Sequence, residues 1–358
     1  METIQDFTNE LNDEFQDLKF SRADVFETFK RFINNHSRLQ EAVDLGILHY
    51  EYVRYKKVFE GTLFEDYIIL VNEMCREANN VDREKFCETL QVGYKGIAKG
   101  LASFTQSMLA NGKEWPERTD LFVKKAFQTI GELIENSLKP YLFFLNEVRA
   151  IIKKKSVSLH KLGVDLDALM AHNEIIESIY KGLFMDISIS QWRNISDHGD
   201  YIYRNEEIEI VYGKNRKVIH QKDLVEILRS LDILLYVNKT AFTLLSLDYF
   251  DEMKVQDVLK DKSEYVEQDD MAIQIIETSY AYGYRVKSVD VLCNPIKIEV
   301  EVREGANYKE ELEKYLIVLC SIVHNDFDFK CGSELGMVVE ARFFNRTLFI
   351  KNNLGVDQ

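Results

Sequence analysis

The chain has 358 residues, with 60 acidic against 45 basic side chains and a formal net charge of −15. At roughly 150 residues per domain this is length for two to three domains, and 46% hydrophobic with 29% charged residues is ordinary globular composition. So acidic a chain argues against an indiscriminate nucleic-acid coat, because phosphate binding rests on positive charge. Three prolines and 16 glycines favour long helices over a many-turned β-sandwich.

Residues 1 to about 115 read as a helical region. Ser21 is placed to cap a helix carrying Val25, Phe26, Phe29, Phe32 and Ile33. Phe64 to Ala78 puts Tyr67, Ile68, Val71 and Met74 on one stripe. Val81 to Leu109 does the same with Phe86, Leu90, Tyr94, Ile97, Leu101 and Phe104. The N-terminal METIQDFTNELNDEFQDL is acidic and unlike a signal peptide. No 18-residue apolar run occurs in the sequence, so a cytoplasmic protein without a membrane partner is expected.

Asn111 to Pro116 is a break, and a long helix then runs from about Thr119 to Lys154 with a kink or a split expected near Pro140. Its end, Lys153-Lys154-Lys155, forms a basic patch with Arg149, His160 and Lys161. It reads either as a solvated helix end or as an RNA contact. Shorter helices follow at Asp165–Met170 and His172–Phe184. Ile208, Ile210 and Tyr212 then alternate with polar residues, Gly213 to Arg216 turns, and Lys217 to Ile219 returns as a short strand. A helix over Gln221–Leu247 and an acidic linker over 248–270 come next. Beyond it Ile296, Ile298, Val300 and Val302 alternate as a half-buried strand. A helix over Tyr308–Val323 and a hairpin turning at Asn345-Arg346 complete one antiparallel sheet with a helix or two on one face.

The expected architecture is therefore mainly α: a helical region over 1–115, a helical-bundle domain over 116–250 with a β-hairpin insertion, and a small C-terminal α+β domain over 251–358. The five cysteines, Cys75, Cys87, Cys293, Cys320 and Cys331, contain no C-x-x-C. Cys320, His324 and Cys331 fit either a metal site or, more simply, buried thiols. Asp248, Asp251 and Glu252, or Asp269 and Asp270, fit a solvated charge run better than a metal cluster. No phosphate-binding glycine loop is present. No cofactor and no metal are implied.

One constellation carries chemistry: Arg193-Asn194-Ile195-Ser196-Asp197-His198. A guanidinium forks onto phosphate, and an imidazole moves protons near neutrality. RNA brings its own 2′-hydroxyl nucleophile, so its cleavage needs a base, an acid and charge stabilisation. The bare Arg-to-His spacing is weak evidence, being expected by composition roughly once in this chain. Arg31 and His36 share it. The amide directly after Arg193 and the glycine after His198 distinguish the second occurrence.

The stretch Trp192 to Tyr201 resembles the Arg-polar-(x)-His motif of HEPN-superfamily ribonucleases, found in toxin–antitoxin and abortive-infection systems and in RNA-targeting CRISPR effectors. The likeness spans about residues 120–250. It implies a helical bundle that dimerises and a metal-independent endoribonuclease leaving a 2′,3′-cyclic phosphate. It further implies a role as an antiviral defence or toxin effector, with RNA as substrate and a regulatory or antitoxin protein as a possible partner. Carried over by position, Arg193 holds the scissile phosphate, His198 is the general acid or base, and Asn194 orients one of them. Tyr201 is a candidate for base stacking, and Lys214, Arg216 and Lys217 for phosphate contacts. On one helix Arg193 and His198 stand about 140° apart around the axis, whereas Asn194 and His198 share a face. An irregular helix or a second subunit would complete the site. The competing reading makes Arg193 and Asp197 a plain ion pair, Trp192 and Ile195 core anchors, and the whole chain a non-catalytic helical sensor or interaction protein.

Overall fold

The computed structural model describes residues 20–111, 118–157, 160–204, 207–250, 252, 268–290, 296–302, 315, 319, 337–343 and 346–352. In chain order the helices are α1 (Arg22–Phe29), α2 (His36–Asp44), α3 (His49–Arg54), a π-helical turn (Tyr55–Phe59), α4 (Leu63–Val81), α5 (Arg83–Asn111), α6 (Thr119–Glu132), a second π-helical turn (Leu133–Leu138), α7 (Lys139–Ile152), α8 (Leu162–Met170), α9 (Glu174–Gly182) and α10 (Ile189–His198). The strands β1 (Tyr201–Arg204), β2 (Glu207–Tyr212) and β3 (Asn215–Ile219) come next, before α11 (Gln221–Asp248) and α12 (Gln268–Ala281). The strands β4 (Tyr284–Asp290), β5 (Ile296–Val302), β6 (Met337–Phe343) and β7 (Arg346–Asn352) close the series. The fold is mainly α with a small C-terminal α+β part. No helix among the described residues is long and apolar enough to cross a membrane.

The contacts divide the chain into two compact units, Met1–Lys57 with Lys260–Gln358, and Val58–Leu259. The sequence boundary at 115/116 falls inside the second unit, where α5 packs on both α7 and the π-turn before it. The break at 112–117 lies outside the described residues, as do Cys293, Cys320, His324, Cys331, Asp251 and most of the 308–323 helix.

In the first unit, Ser21 caps α1 with a capping box: its hydroxyl accepts from the Asp24 amide at 3.3 Å, and its own amide donates to the Asp24 carboxylate at 2.8 Å. Helix α12 packs on β4 and α3. Thr278 donates its hydroxyl to the Leu45 carbonyl at 2.8 Å. At Gly46 (φ +80) a Cβ would stand 2.7 Å from the Thr278 Cα, so this close approach requires glycine. The sheet has the order β4-β5-β6-β7 and is mixed, not purely antiparallel: β5 and β6 pair in parallel, from Ile296↔Met337 to Glu301↔Arg342. A parallel pair needs a long crossover, which residues 303–336 supply. Within that crossover Tyr315 and Leu319 are fully buried, and Tyr315 stacks on Tyr284 with ring centroids 4.4 Å apart. The terminal hairpin is present, with Phe343 opposite Arg346, so Arg346 starts β7 instead of occupying the turn.

In the second unit the apolar stripes read from sequence are core faces. Tyr67, Ile68, Val71 and Met74 of α4 are buried, as are Phe86, Leu90, Ile97 and Phe104 of α5. Each such side chain contributes about 1.5–3 kcal/mol of burial. The Tyr67 hydroxyl donates to Asn238 at 2.8 Å, tying α4 to α11. The long helix over 119–152 is interrupted as its proline requires. Pro140 has no N–H for the Asn136 carbonyl, and the chain takes this up as a π-turn over Leu133–Leu138 before α7. Gly100 of α5 faces that turn: a Cβ there would meet the Asn136 carbonyl oxygen at 2.9 Å. Gly96, one turn earlier, would meet nothing nearer than Pro140 Cβ at 3.7 Å. The small sheet is an antiparallel meander, β1-β2-β3, with Ile208, Ile210 and Ile219 fully buried. Its β2–β3 turn is the pair Gly213-Lys214, with Gly213 at φ +59 and Tyr212 opposite Asn215.

Two expectations follow. The substitution Gly96→Ala raises stability by up to about 1 kcal/mol through helix propensity, whereas Gly100→Ala lowers it, because overpacking of about 1–3 kcal/mol outweighs that gain. Urea midpoints of the two variants should move in opposite directions. In the capping box the Ser21 backbone and side-chain hydrogen bonds hold the Asp24 carboxyl below its usual range. Its contribution is thus complete above about pH 4 and fades as pH falls through the lowered value. Ser21→Ala should cost about 1 kcal/mol at neutral pH and progressively less in acid, read by urea denaturation against pH.

Candidate functional site

The motif lies on α10, a regular ten-residue helix with defined ends. At its start Ser188 forms a capping box with Gln191. At its end Gly199 takes the left-handed conformation (φ 66), and the Asp200 amide reaches back to the Ile195 carbonyl at 3.1 Å. Ile189, Trp192 and Ile195 are buried and turn one face inward. The Trp192 indole donates to the Phe184 carbonyl at 3.1 Å, satisfying its N–H within the core. Gly131 of α6 lets α10 come close, since a Cβ there would stand 3.0 Å from an Asp197 carboxylate oxygen.

This anchoring decides where the motif residues point. Asn194 and His198 are both exposed and lie four apart, on one face. Arg193 is half-buried and turned toward carboxylates. Its NH1 donates to Asp197 at 3.4 Å, and its Nε stands 3.8 Å from Oε2 of Glu135 on the π-turn. That Nε and that Oε2 are both buried without a hydrogen bond. Glu135 is also paired with Lys139, one turn on. The helix is regular, so Arg193 and His198 do not converge within one chain. The Arg193–Asp197 ion pair and the core positions of Trp192 and Ile195, read from the sequence as the alternative, are present as well.

The four candidate binding residues are dispersed in their roles. Tyr201 on β1 stacks one ring face on Phe127, with centroids 4.1 Å apart, and its hydroxyl is pushed above the usual tyrosine value by burial. Arg216 pairs with Glu209 across β2 and β3 at 2.9 Å. Lys217 donates to the Met185 carbonyl at 2.9 Å, holding a turn in which Met185 (φ 56) and Asp186 (φ 61) are both left-handed. Lys214 sits exposed at the β2–β3 turn and makes no ion pair among the described residues.

A polar cluster that sequence reasoning treated as part of a basic patch lies at the end of α7. His160 is turned inward, with Nε2 2.9 Å from Glu147 and Nδ1 3.3 Å from Asp165. Its ring stacks on Phe143 with centroids 4.5 Å apart. Asp165 is 1% exposed and also accepts from the Asn146 amide, whose oxygen accepts from Arg149 Nε at 2.9 Å. The two carboxylates lie on opposite edges of the imidazole, so they do not converge on one ion. No group of three or more His, Cys, Asp or Glu suited to a metal occurs among the described residues. Asp248 and Glu252 of the acidic segment are ion-paired, with Arg76 at 3.7 Å and Arg83 at 3.3 Å. Glu135, Glu147 and His160 also line a cavity of about 540 Å³ between α5 and α7. The sequence signal nearest to it is Pro140, which forecast a distortion without saying which side chain the distortion would turn toward Arg193.

No protein-family model, curated protein or solved structure matches this chain.

The two ion-pair systems should respond differently to truncation. Asp165→Ala strands a buried amide and an imidazole and should cost about 3 kcal/mol or more. Arg193→Ala breaks partly exposed pairs and should cost no more than about 1 kcal/mol. Chemical denaturation of both variants measures the contrast.

Proposed function

We propose that the protein is a metal-independent endoribonuclease of HEPN type, a cytoplasmic defence or toxin effector acting as a homodimer on RNA. One observation carries the reading: Asn194 and His198 stand exposed on a single face of a helix whose other face is pinned by Trp192. A solvent-facing amide and imidazole four residues apart are placed to meet a ligand together. Because Arg193 lies about 140° from His198 around the helix, the paired motif of a second subunit supplies the complementary groups. In the reaction His198 takes the 2′-hydroxyl proton or protonates the leaving 5′-oxygen, Arg193 neutralises the phosphorane, and Asn194 orients the imidazole. Arg193 is engaged by Asp197 and Glu135, which makes this a restrained state. A regulatory or antitoxin partner would act on that restraint.

A second reading, a non-catalytic helical sensor or interaction protein, draws on the same Arg193 ion pairs, which give the arginine a structural use. The two are separated by incubating the full chain with total RNA or tRNA in EDTA, beside His198→Ala and Glu135→Gln. The ribonuclease reading expects cleavage with 2′,3′-cyclic ends, slowed about 100-fold or more by His198→Ala, and faster cleavage by Glu135→Gln, which removes one of the two carboxylate charges that hold Arg193. Intact RNA with both wild type and Glu135→Gln, or undiminished cleavage by His198→Ala, sinks it.

A further inference from the structure

The cavity between α5 and α7 is open to solvent and about 540 Å³ in volume, within the range of small-molecule sites. Its apolar part is built from Val92, Pro140, Phe143 and Phe144. Val92 is 75% exposed at the rim, an uncovered apolar side chain beside an apolar recess. Gly96 adds a second sign. A glycine inside a helix is unfavourable and normally answers to a close neighbour. Gly93 and Gly100 have such neighbours, Phe144 Cδ2 at 2.5 Å and the Asn136 carbonyl at 2.9 Å from an added Cβ. Gly96 has none closer than 3.7 Å, and it opens the cavity wall instead.

The charges in the lining select the ligand. Three cationic or cation-forming groups are present, and each already has a partner: Lys139 with Glu135, His160 between Glu147 and Asp165, and Lys85 on the Lys155 carbonyl at 3.4 Å. Among the carboxylates, Glu88 has no partner among the described residues, and Glu147 gives only one oxygen to His160. The lining therefore has acceptors to spare, beside an apolar surface of Val92, Pro140 and Phe143; one face of the Phe143 ring is taken by His160, and Phe144 is buried behind it. A ring-bearing molecule with a protonated amine fits both features, its ring against the apolar surface of Val92, Pro140 and Phe143 and its N–H groups toward Glu88 and Glu147.

We propose that this cavity binds a small aromatic molecule carrying a cationic amine, which the chain recognises through Glu88, Glu147 and the apolar floor opened by Gly96. The proposal does not depend on the ribonuclease reading. The test titrates the full chain with 2-naphthylmethylamine, protonated at neutral pH, and with 2-naphthoate, an anion on the same ring system, by isothermal calorimetry. The amine should bind one per chain and at least about tenfold more tightly than the carboxylate, the worth of one charge-assisted hydrogen bond. Glu88→Gln, an exposed change that leaves the core untouched, should remove most of that preference. Gly96→Leu, which fills the recess, should abolish binding of both probes; if circular dichroism finds this variant unfolded, Glu88→Gln decides alone. Equal or tighter binding of the carboxylate, no saturable binding of the amine, or an unchanged preference in Glu88→Gln overturns the proposal.

Discussion

Pro140 cannot donate a hydrogen bond, and its ring excludes the carbonyl four residues earlier. The helix over 119–152 is therefore obliged to change its winding, and it does so as the π-turn Leu133–Leu138. Much of the second unit follows from that obligation. The turn carries Glu135 to within 3.8 Å of Arg193 on α10. It presents the Asn136 carbonyl to Gly100, which admits α5 at close range. It also places Pro140 and Phe143 along one wall of the cavity. A straight α-helix would rotate every residue beyond the turn and separate these features.

Electrostatics then divides the unit into closed and open regions. The Arg149–Asn146–Asp165–His160 chain is closed: a buried carboxylate is held by an amide and an imidazole, as burial of charge demands, while Glu147 at its end gives one oxygen to His160 and faces the cavity. Arg193, Glu135 and Lys139 form a looser set, in which one carboxylate serves two cations and two buried atoms lack hydrogen bonds. Such a shared carboxylate is easily redistributed, since neither partner has its full complement. The exposed edge of α10 is open, with Asn194 and His198 facing solvent. Of the basic residues in the neighbouring strands, Arg216 pairs with Glu209 and Lys217 holds the Met185 carbonyl.

Local signals were readable wherever local physics decides. The capping serine Ser21, the glycine stop at Gly199 and the periodic stripes of α4 and α5 mark their helices directly. The alternation of Ile296 to Val302 delimits β5 to the residue. Signals failed where partners are distant. β1, β4 and α12 left no reading in the sequence, because each is short or weakly patterned and owes its state to the neighbours it packs on. The parallel pairing of β5 with β6 is a choice of crossover that alternation cannot encode.

The amino-acid sequence by itself determined that the chain is mainly helical, that Asn194 and His198 share a face if one helix carries them, and that Pro140 disturbs its helix. These depend on residues within a few positions of one another. That the helix carrying Asn194 and His198 is regular and turns Trp192 inward came from the fold. Tertiary structure alone decided that Arg193 meets Glu135, that His160 turns inward to Asp165, and that a cavity opens beside Gly96. Those outcomes join residues far apart in the chain, and their energies arise only once helices pack and exclude water from between them.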